Sequence, residues 1–272
     1  IIGLLANNAQ ITSGAMIFEG SDLLSKSEQE LRAIRGQRIS MVSQDPMTAL
    51  NPILSIGTQM IDIQYRNASS RDEKRARSIN MLSRVGIPDP ETRFNDYPHQ
   101  FSGGMRQRIA IAMALQVEPT LLIADEPTTA LDATLEVQII RRLNDLQQNM
   151  GCSILFVSHH LGVIAELCDY VVVMYGGEVV EQGSVRDIFH RASHPYTQKL
   201  LECDPASIAQ ATHSLPTIPG EVPNLDELPS GCIFFDRCDH SYDSCQRSHP
   251  RIEQIEAGHW IRCPVLAQQK TS

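Results

Sequence analysis

The chain has 272 residues, of which 42% are hydrophobic and 20% are charged, and its formal net charge is −9 at pH 7. This composition is that of a globular protein and excludes a disordered chain, while the acidic excess argues against a broad nucleic-acid surface, which needs clustered Lys and Arg. No apolar run approaches the roughly 18 residues of a membrane-spanning helix, and the first residues lack the pattern of a secretory signal peptide, so any link to a membrane runs through a partner.

Strand-like and helix-like segments alternate along much of the chain, which predicts an α/β fold. Strands are predicted at residues 15–18, 38–43, 120–125, 153–158, 170–174 and 178–181. Helices are predicted at residues 27–34, 72–85, 105–116 and 132–150. Because residues 45–117 are mostly helical, we predict a parallel-sheet core with an inserted helical unit. Gly86 is predicted to end the second helix, and Gly176-Gly177 to form a hairpin.

The segment FSGGMRQ, residues 101–107, stands at the start of a predicted helix. Ser102, Gly103 and Gly104 place a hydroxyl and two unshielded backbone amides there. Because the N–H groups at a helix N-terminus attract anions, this segment is suited to binding a phosphate. Ser-Gly-Gly alone is also a common turn, so the prediction depends on further motifs.

The segment LLIADE, residues 121–126, has the pattern of a buried strand that ends in two carboxylates. Open α/β sheets bind their ligands at the carboxyl ends of the strands. Asp125 could hold Mg²⁺, and Glu126 could orient or deprotonate a water molecule. An ordinary buried strand with a solvated tip is the alternative for this segment alone. A phosphate site combined with metal-binding carboxylates predicts nucleotide hydrolysis.

Five motifs follow one another in a fixed order: Gln44, FSGGMRQ at 101–107 and LLIADE at 121–126, then Ala130-Leu131-Asp132 and His159. They resemble the Q-loop, signature, Walker B strand, D-loop and switch histidine of the ATP-binding subunits of ABC transporters. The chain is identified as a member of that family. The resemblance implies a P-loop NTPase-like ABC ATPase core with a parallel sheet, an inserted helical subdomain at 45–117, and binding of ATP with Mg²⁺.

The resemblance also implies a role for each matching residue. Glu126 would be the catalytic base, and His159 would contact the γ-phosphate and hold the attacking water. The nucleotide-binding residues would be Gln44, Ser102, Gly103, Gly104, Gln107, Asp125 and Asp132, with Asp125 holding Mg²⁺ through water. An aspartate commonly follows the histidine in this family, whereas His160 stands here. This departure leaves open what fixes the tautomer of His159.

The phosphate loop of the family, G-x-x-x-x-G-K-[ST], does not occur in the printed sequence. The first residues, IIGLL, resemble the end of the helix that follows this loop. We interpret the chain as a fragment that begins just downstream of the loop, with a naturally degenerate, non-hydrolytic cassette as the alternative. On the first interpretation the complete protein is an ATPase, and the chain as printed is inactive.

The tail carries the motif HPYTQKLL from His194 and a proline-rich linker at 216–223. From about residue 191 it resembles the loop-rich C-terminal extension of dipeptide, oligopeptide and nickel importer ATPases. We therefore predict an ABC ATPase domain at 1–190 and an extension at 191–272. Import of di- and oligopeptides is the favoured function, and import of nickel or glutathione is the alternative.

Four of the seven cysteines lie in this extension, at Cys232, Cys238, Cys245 and Cys263. Structural zinc sites usually show closely spaced cysteine pairs, and these gaps are wider. An iron–sulfur cluster also takes four thiolates, and the resemblance implies that importers of this subfamily can carry a [4Fe–4S] cluster here. We therefore favour iron–sulfur over zinc, with metal-free thiols as the third alternative. The remaining cysteines, Cys152, Cys168 and Cys203, are predicted to be inert thiols.

The resemblance further implies the partners of the chain. These are two transmembrane permease subunits, a second ABC ATPase that is a copy or a paralogue, and, indirectly, an extracytoplasmic substrate-binding protein. The chain would act as a peripheral protein at the cytoplasmic side of the inner membrane and would bind no nucleic acid. A soluble ABC ATPase acting on DNA or the ribosome is disfavoured, because the sequence has no coiled-coil insertion, second cassette or basic face.

Overall fold

The computed structural model describes residues 1–6, 8–44, 49–128, 133–205 and 216–264. The chain divides into two compact units, Ile1–His159 and His160–Ser272. The domain limits predicted from the sequence, 1–190 and 191–272, stay a prediction. Among the described residues, no helix has both the length and the apolar character needed to cross a bilayer.

The first unit contains a two-stranded antiparallel sheet and a three-stranded parallel sheet. The small sheet consists of β1 (Ile17–Phe18) and β2 (Ser21–Asp22). The parallel sheet has the order β3 (Ile39–Val42), β4 (Leu121–Asp125) and β5 (Ser153–Val157). The middle strand, β4, is buried, as its continuous apolar run requires in a parallel sheet. The predicted parallel α/β core is therefore confirmed.

The helices of the first unit are α1 (Glu28–Ile34), α2 (Ile56–Asp62), α3 (Arg71–Arg84), α4 (Pro90–Arg93), α5 (Gly103–Gln116) and α6 (Ala133–Met150). Serine side chains start several of them. Ser27 and Ser70 each form a capping box with the glutamate three residues later, which satisfies two otherwise unpaired amides at each helix start. Gly86 follows α3 with φ of +77°, so its predicted role at the end of this helix is confirmed.

Helices α2, α3 and α5 share a buried polar cluster formed by Ser78 of α3, Gln116 of α5 and Gln64. The amide groups of Gln64 and Gln116 both donate to the Ser78 hydroxyl, at 3.1 and 2.7 Å, and to the backbone oxygen of Met60. Buried polar groups that are paired in this way fix the relative position of the helices that carry them. The helical region between β3 and β4 therefore presents α5 in a defined orientation.

The second unit is built on a four-stranded antiparallel sheet in the order β6 (Tyr170–Tyr175), β7 (Glu178–Ser184), β9 (His259–Ile261) and β8 (Glu253–Glu256). Its helices are α7 (Leu161–Leu167), α8 (Val185–Arg191), α9 (Pro195–Glu202) and α10 (Asp243–Arg247). Gly176 and Gly177, with φ of +54° and +85°, connect β6 to β7, and the predicted hairpin is confirmed. Phe234 packs against Tyr175 and Tyr196 at the centre of this unit.

Candidate active site

Three polar side chains follow the three neighbouring strands of the parallel sheet. Gln44 comes two residues after β3, Glu126 follows β4 directly, and His159 comes two residues after β5. The carboxyl ends of parallel strands lie at one edge of a sheet, so these residues share that edge. The sheet thus gathers side chains that lie 82 and 33 positions apart along the chain.

The Glu126 carboxylate lies between the other two side chains. Its Oε1 is 2.9 Å from Nδ1 of His159, and its Oε2 accepts a hydrogen bond from Nε2 of Gln44 at 3.3 Å. The side chain of Glu126 is 22% exposed, whereas that of His159 is 60% exposed. A general base has to lie within hydrogen-bond reach of the water that it deprotonates, and water can reach a partly exposed carboxylate. The structure thus brings together the two residues predicted to be catalytic.

The backbone of Glu126 is strained. Its φ of +45° lies in the left-handed region, which non-glycine residues rarely adopt, and it precedes Pro127, which biases a residue towards extended backbone. The amide of Glu126 donates to the oxygen of Val157 in β5 at 2.9 Å. Backbone outliers of this kind cluster at functional sites. The sequence did not predict this conformation, because the following proline favours extended backbone instead.

The signature segment begins helix α5 two residues earlier than predicted. Ser102 is the N-cap, and its hydroxyl accepts a hydrogen bond from the amide of Met105 at 3.3 Å. A side chain added at Gly103 would meet no atom within 4 Å, so the helix start is open on that side. Within the described residues no hydrogen bond joins Ser102 to Glu126. The helix start and the carboxylate are therefore separate features of the same unit.

Gln107 lies in the second turn of α5 and points into the protein. Its side chain is 1% exposed, and its Nε2 donates to the backbone oxygen of Pro127 at 2.5 Å. Asp125, the last residue of β4, is half-buried and pairs in register with Val157. The predicted D-loop, Ala130 to Asp132, lies outside the described residues. The nucleotide-binding roles of Gln107, Asp125 and Asp132 stay predictions.

Two separate segments of the chain match families of known proteins. The family profile described as ABC transporter matches residues 1–129, and the profile described as oligopeptide/dipeptide transporter, C-terminal region, matches residues 180–245. A probable peptide ABC transporter ATP-binding protein, y4tR of Sinorhizobium fredii, is 47% identical over 256 residues, which is 94% of this chain and 76% of the relative. The oligopeptide transport ATP-binding protein OppD of Salmonella typhimurium is 44% identical over 97% of this chain and 78% of the relative.

The chain belongs to the ATP-binding subunits of ABC transporters. A solved structure of the ATP-binding cassette MJ0796, a dimer in a post-hydrolysis state bound to ADP and Pi, is 29% identical, with a TM-score of 0.58 over 64% of this chain and 75% of that one. As a member of this family the chain is an ATP-hydrolysing transporter subunit. The edge at which Gln44, Glu126 and His159 meet is thus part of an ABC ATPase.

The four cysteines of the C-terminal segment of this ABC subunit line one small cavity, which also includes His194, Pro195 and Phe234. Burial raises the pKa of the Cys232 and Cys238 thiols. Among the described residues, no group of three His, Cys, Asp or Glu side chains is arranged to hold a metal ion. The cysteines that the sequence singled out therefore share one cavity, but neither zinc nor an iron–sulfur cluster is supported by their arrangement.

A buried carboxylate that the sequence analysis missed secures the HPY motif of the ABC subunit. Glu181 of β7 is fully buried, and its two oxygens accept hydrogen bonds from the amide of Ser193 at 2.7 Å, the amide of His194 at 3.0 Å and Nε2 of His259 at 2.8 Å. Alternation along β7 gave no reason to place a glutamate inside. The partners of Glu181 lie up to 78 positions away in the chain, so no local signal indicates this buried acceptor.

His194 is the N-cap of helix α9, with Nδ1 accepting a hydrogen bond from the amide of Tyr196 at 3.0 Å. Burial lowers the pKa of His194 to about 4. Pro195 stands at the first helical position, where a missing N–H costs nothing. The HPY motif of this ABC subunit thus acts as a helix start that is anchored to β7.

Proposed function

We propose that the full gene product that contains this chain hydrolyses ATP to drive the import of di- or oligopeptides, with Glu126 as the catalytic base. The observation that supports this role most directly is the placement of its carboxylate between Gln44 and His159 at the carboxyl edge of the parallel sheet. The peptide substrate is supported by the C-terminal segment that matches oligopeptide and dipeptide transporters. Relatives named for oligopeptide and dipeptide transport extend over most of the chain.

In this mechanism Glu126 accepts a proton from the attacking water, and His159 holds that water and the γ-phosphate in line. The 2.9 Å contact with Glu126 fixes the orientation of the imidazole, as a base and its orienting partner require. Gln44 turns its amide nitrogen towards Glu126, which places its carbonyl oxygen on the other side of the amide. Carbonyl and carboxylate oxygens are ligands that Mg²⁺ prefers, so Gln44 and Asp125 fit a Mg²⁺ ion that would neutralise phosphate charge.

The signature residues Ser102, Gly103 and Gly104 are proposed to bind the phosphates of ATP held by a second ATPase subunit. The open space beside Gly103 at the start of α5 supports this role, because a phosphate could approach the helix N-terminus there. Closing of the pair around ATP and reopening after hydrolysis would move two permease subunits at the cytoplasmic face of the membrane. The solved dimer of a related cassette supports a paired arrangement.

Peptide uptake by cells tests this function. Deletion of the gene is expected to abolish accumulation of a labelled tripeptide, and the wild-type gene should restore it. A gene carrying Glu126→Gln should not restore uptake, since hydrolysis drives the cycle. If deletion leaves tripeptide uptake unchanged but abolishes accumulation of nickel or glutathione, the substrate class assigned here is wrong.

We further propose that the cysteine cavity holds an iron–sulfur cluster. This proposal rests on the resemblance of the tail to importer ATPases that carry such a cluster; the structure adds only that the four thiols line one cavity, without an arrangement of three that would hold a metal among the described residues. Each cysteine ligand of a four-iron cluster binds a different iron atom. The four cysteine thiolates around such a cluster therefore lie farther apart than the four around a single zinc ion. Such a cluster would supply a redox-active cross-link between the segments that carry Cys232, Cys238, Cys245 and Cys263. The side chains of this cavity would bind it and exclude water from it.

Anaerobic purification is expected to give a brown protein with broad absorbance near about 400 nm and bound iron and sulfide. Cys245→Ser should remove the colour, whereas Cys203→Ser, a change outside the cavity, should keep it. A colourless protein with about one equivalent of zinc, released by Cys245→Ser, would reverse the choice of metal.

A further inference from the structure

Gln107 connects the signature helix α5 to the residue that follows the proposed base. Its buried amide donates to the backbone oxygen of Pro127 at 2.5 Å, and Pro127 comes directly after Glu126. The hydrogen bond therefore acts on the backbone that carries the carboxylate. It is a contact within one subunit, 20 positions apart in the chain.

The backbone of Glu126 needs support from its surroundings. A residue before proline disfavours helical backbone, and a non-glycine residue with φ of +45° keeps that conformation only where the surrounding structure holds it. Two hydrogen bonds made by backbone atoms within the described part of the chain hold it. On one side the amide of Glu126 donates to Val157, and on the other side the oxygen of Pro127 accepts from Gln107.

The Oε1 atom of Gln107 indicates that a glutamine at this position is not explained by packing alone. Its Oε1 is buried and has no hydrogen-bond partner among the described residues. An unpaired buried oxygen costs stability, so it offsets much of what the bond to Pro127 contributes. An apolar side chain of equal length would fill the same space without that cost. Gln107 is therefore better explained by the backbone that it holds than by the stability that it adds.

We propose that Gln107 is a positioning residue for ATP hydrolysis. By holding the oxygen of Pro127, it keeps Glu126 in the left-handed conformation in which the carboxylate meets both His159 and Gln44. The inference rests on the proposed role of Glu126 as the base. It also ties the helix that begins at the signature serine, Ser102, to the base of the same subunit.

Gln107→Met tests the proposal, because methionine has similar length but donates no hydrogen bond. In the gene product with any residues encoded upstream of Ile1, kcat is expected to fall about tenfold to a hundredfold, as small misplacements of catalytic groups do. The KM for ATP should stay within about twofold. The melting temperature should change by less than about 3 °C, since the unpaired Oε1 is removed together with the bond.

Gln116→Met is a matched control on the same helix. Gln116 is also buried, donates to the backbone oxygen of Met60 at 3.2 Å and to Ser78 at 2.7 Å, and has an Oε1 without a partner among the described residues. Neither of these hydrogen bonds reaches the residues around Glu126. Its replacement is expected to lower the melting temperature and to leave kcat within about twofold. An equal loss of kcat in both variants would overturn the positioning role.

Gln107→Glu adds a rescue arm, because a protonated carboxyl can donate to Pro127 whereas an ionised one repels its oxygen. Its kcat relative to wild type should rise as the pH is lowered from about 8 to about 6.

In a crystal structure of Gln107→Met, Glu126 should leave the left-handed region. The positioning role of Gln107 would be overturned if Gln107→Met left the backbone of Glu126 unchanged, or if its kcat stayed within about twofold of wild type. The proposed base would still stand in that case, provided that Glu126→Gln abolishes hydrolysis. Hydrolysis that survives Glu126→Gln would instead overturn the proposed base itself.

Discussion

Replacement of Glu126 by glutamine is expected to lower ATP hydrolysis about 100-fold or more in the full gene product, while ATP binding is retained. Glutamine keeps the size of the side chain and one oxygen for the contact that His159 makes at 2.9 Å, but it does not take a proton from water. ATP should then hold the paired ATPases closed. Phosphate release measures the rate, and size-exclusion chromatography with ATP and Mg²⁺ measures the trapped pair.

Glu118→Gln provides a matched control at the other end of the same strand. Glu118 also precedes a proline and also has a positive φ, +53°, but its side chain is exposed. Its replacement is expected to leave hydrolysis within about twofold of wild type. A rate for Glu126→Gln within about threefold of wild type would show that another group acts as the base.

Replacement of Glu181 by alanine is expected to destabilise the second unit by about 3–5 kcal/mol. The change removes the acceptor for three donors at once, on half-buried Ser193 and on buried His194 and His259. Because the free energy of unfolding of a whole domain is only about 5–15 kcal/mol, this change would remove a large part of it. Urea unfolding followed by circular dichroism measures the effect, with a lower midpoint expected.

Two further variants give this measurement its controls. Glu181→Gln keeps one acceptor oxygen and should fall between wild type and alanine. Glu253→Ala, at an exposed position on β8, should change stability by less than about 0.5 kcal/mol. Equal midpoints for Glu181→Ala and Glu253→Ala would show that the buried carboxylate does not anchor the HPY motif.

The carboxyl edge of the parallel sheet was predictable from the sequence because it depends on local pattern and order. Apolar runs predicted the strands β3, β4 and β5, and the polar residue after each run predicted which side chains lie at the carboxyl edge of the sheet. The meeting of Gln44, Glu126 and His159 follows from parallel strand order, which the family resemblance supplied. The start of α5 was placed within two residues, since serine followed by two glycines predicts an N-cap but not the first helical residue.

Other features depended on contacts between distant residues and could not be predicted. Nothing local to Gln107 indicates that its amide meets the backbone oxygen of Pro127. Glutamate in a strand is usually exposed, so the burial of Glu181 required knowledge of the tail that covers it. The pairing of β9 with β7 was also missed, because a three-residue strand carries too little periodicity to be recognised.

That pairing has a consequence for how the protein is made. Glu181 meets His259, which lies 78 positions later in the chain. During synthesis β7 therefore leaves the ribosome long before the strand that covers it, and its carboxylate stays in water with no donor from the tail. Contacts of such sequence separation form slowly and only after the loop between them closes. The nascent chain thus presents an open sheet edge until β9 has been synthesised. Truncated products that end before β9 are therefore expected to bind chaperones and to aggregate more than the longer chain.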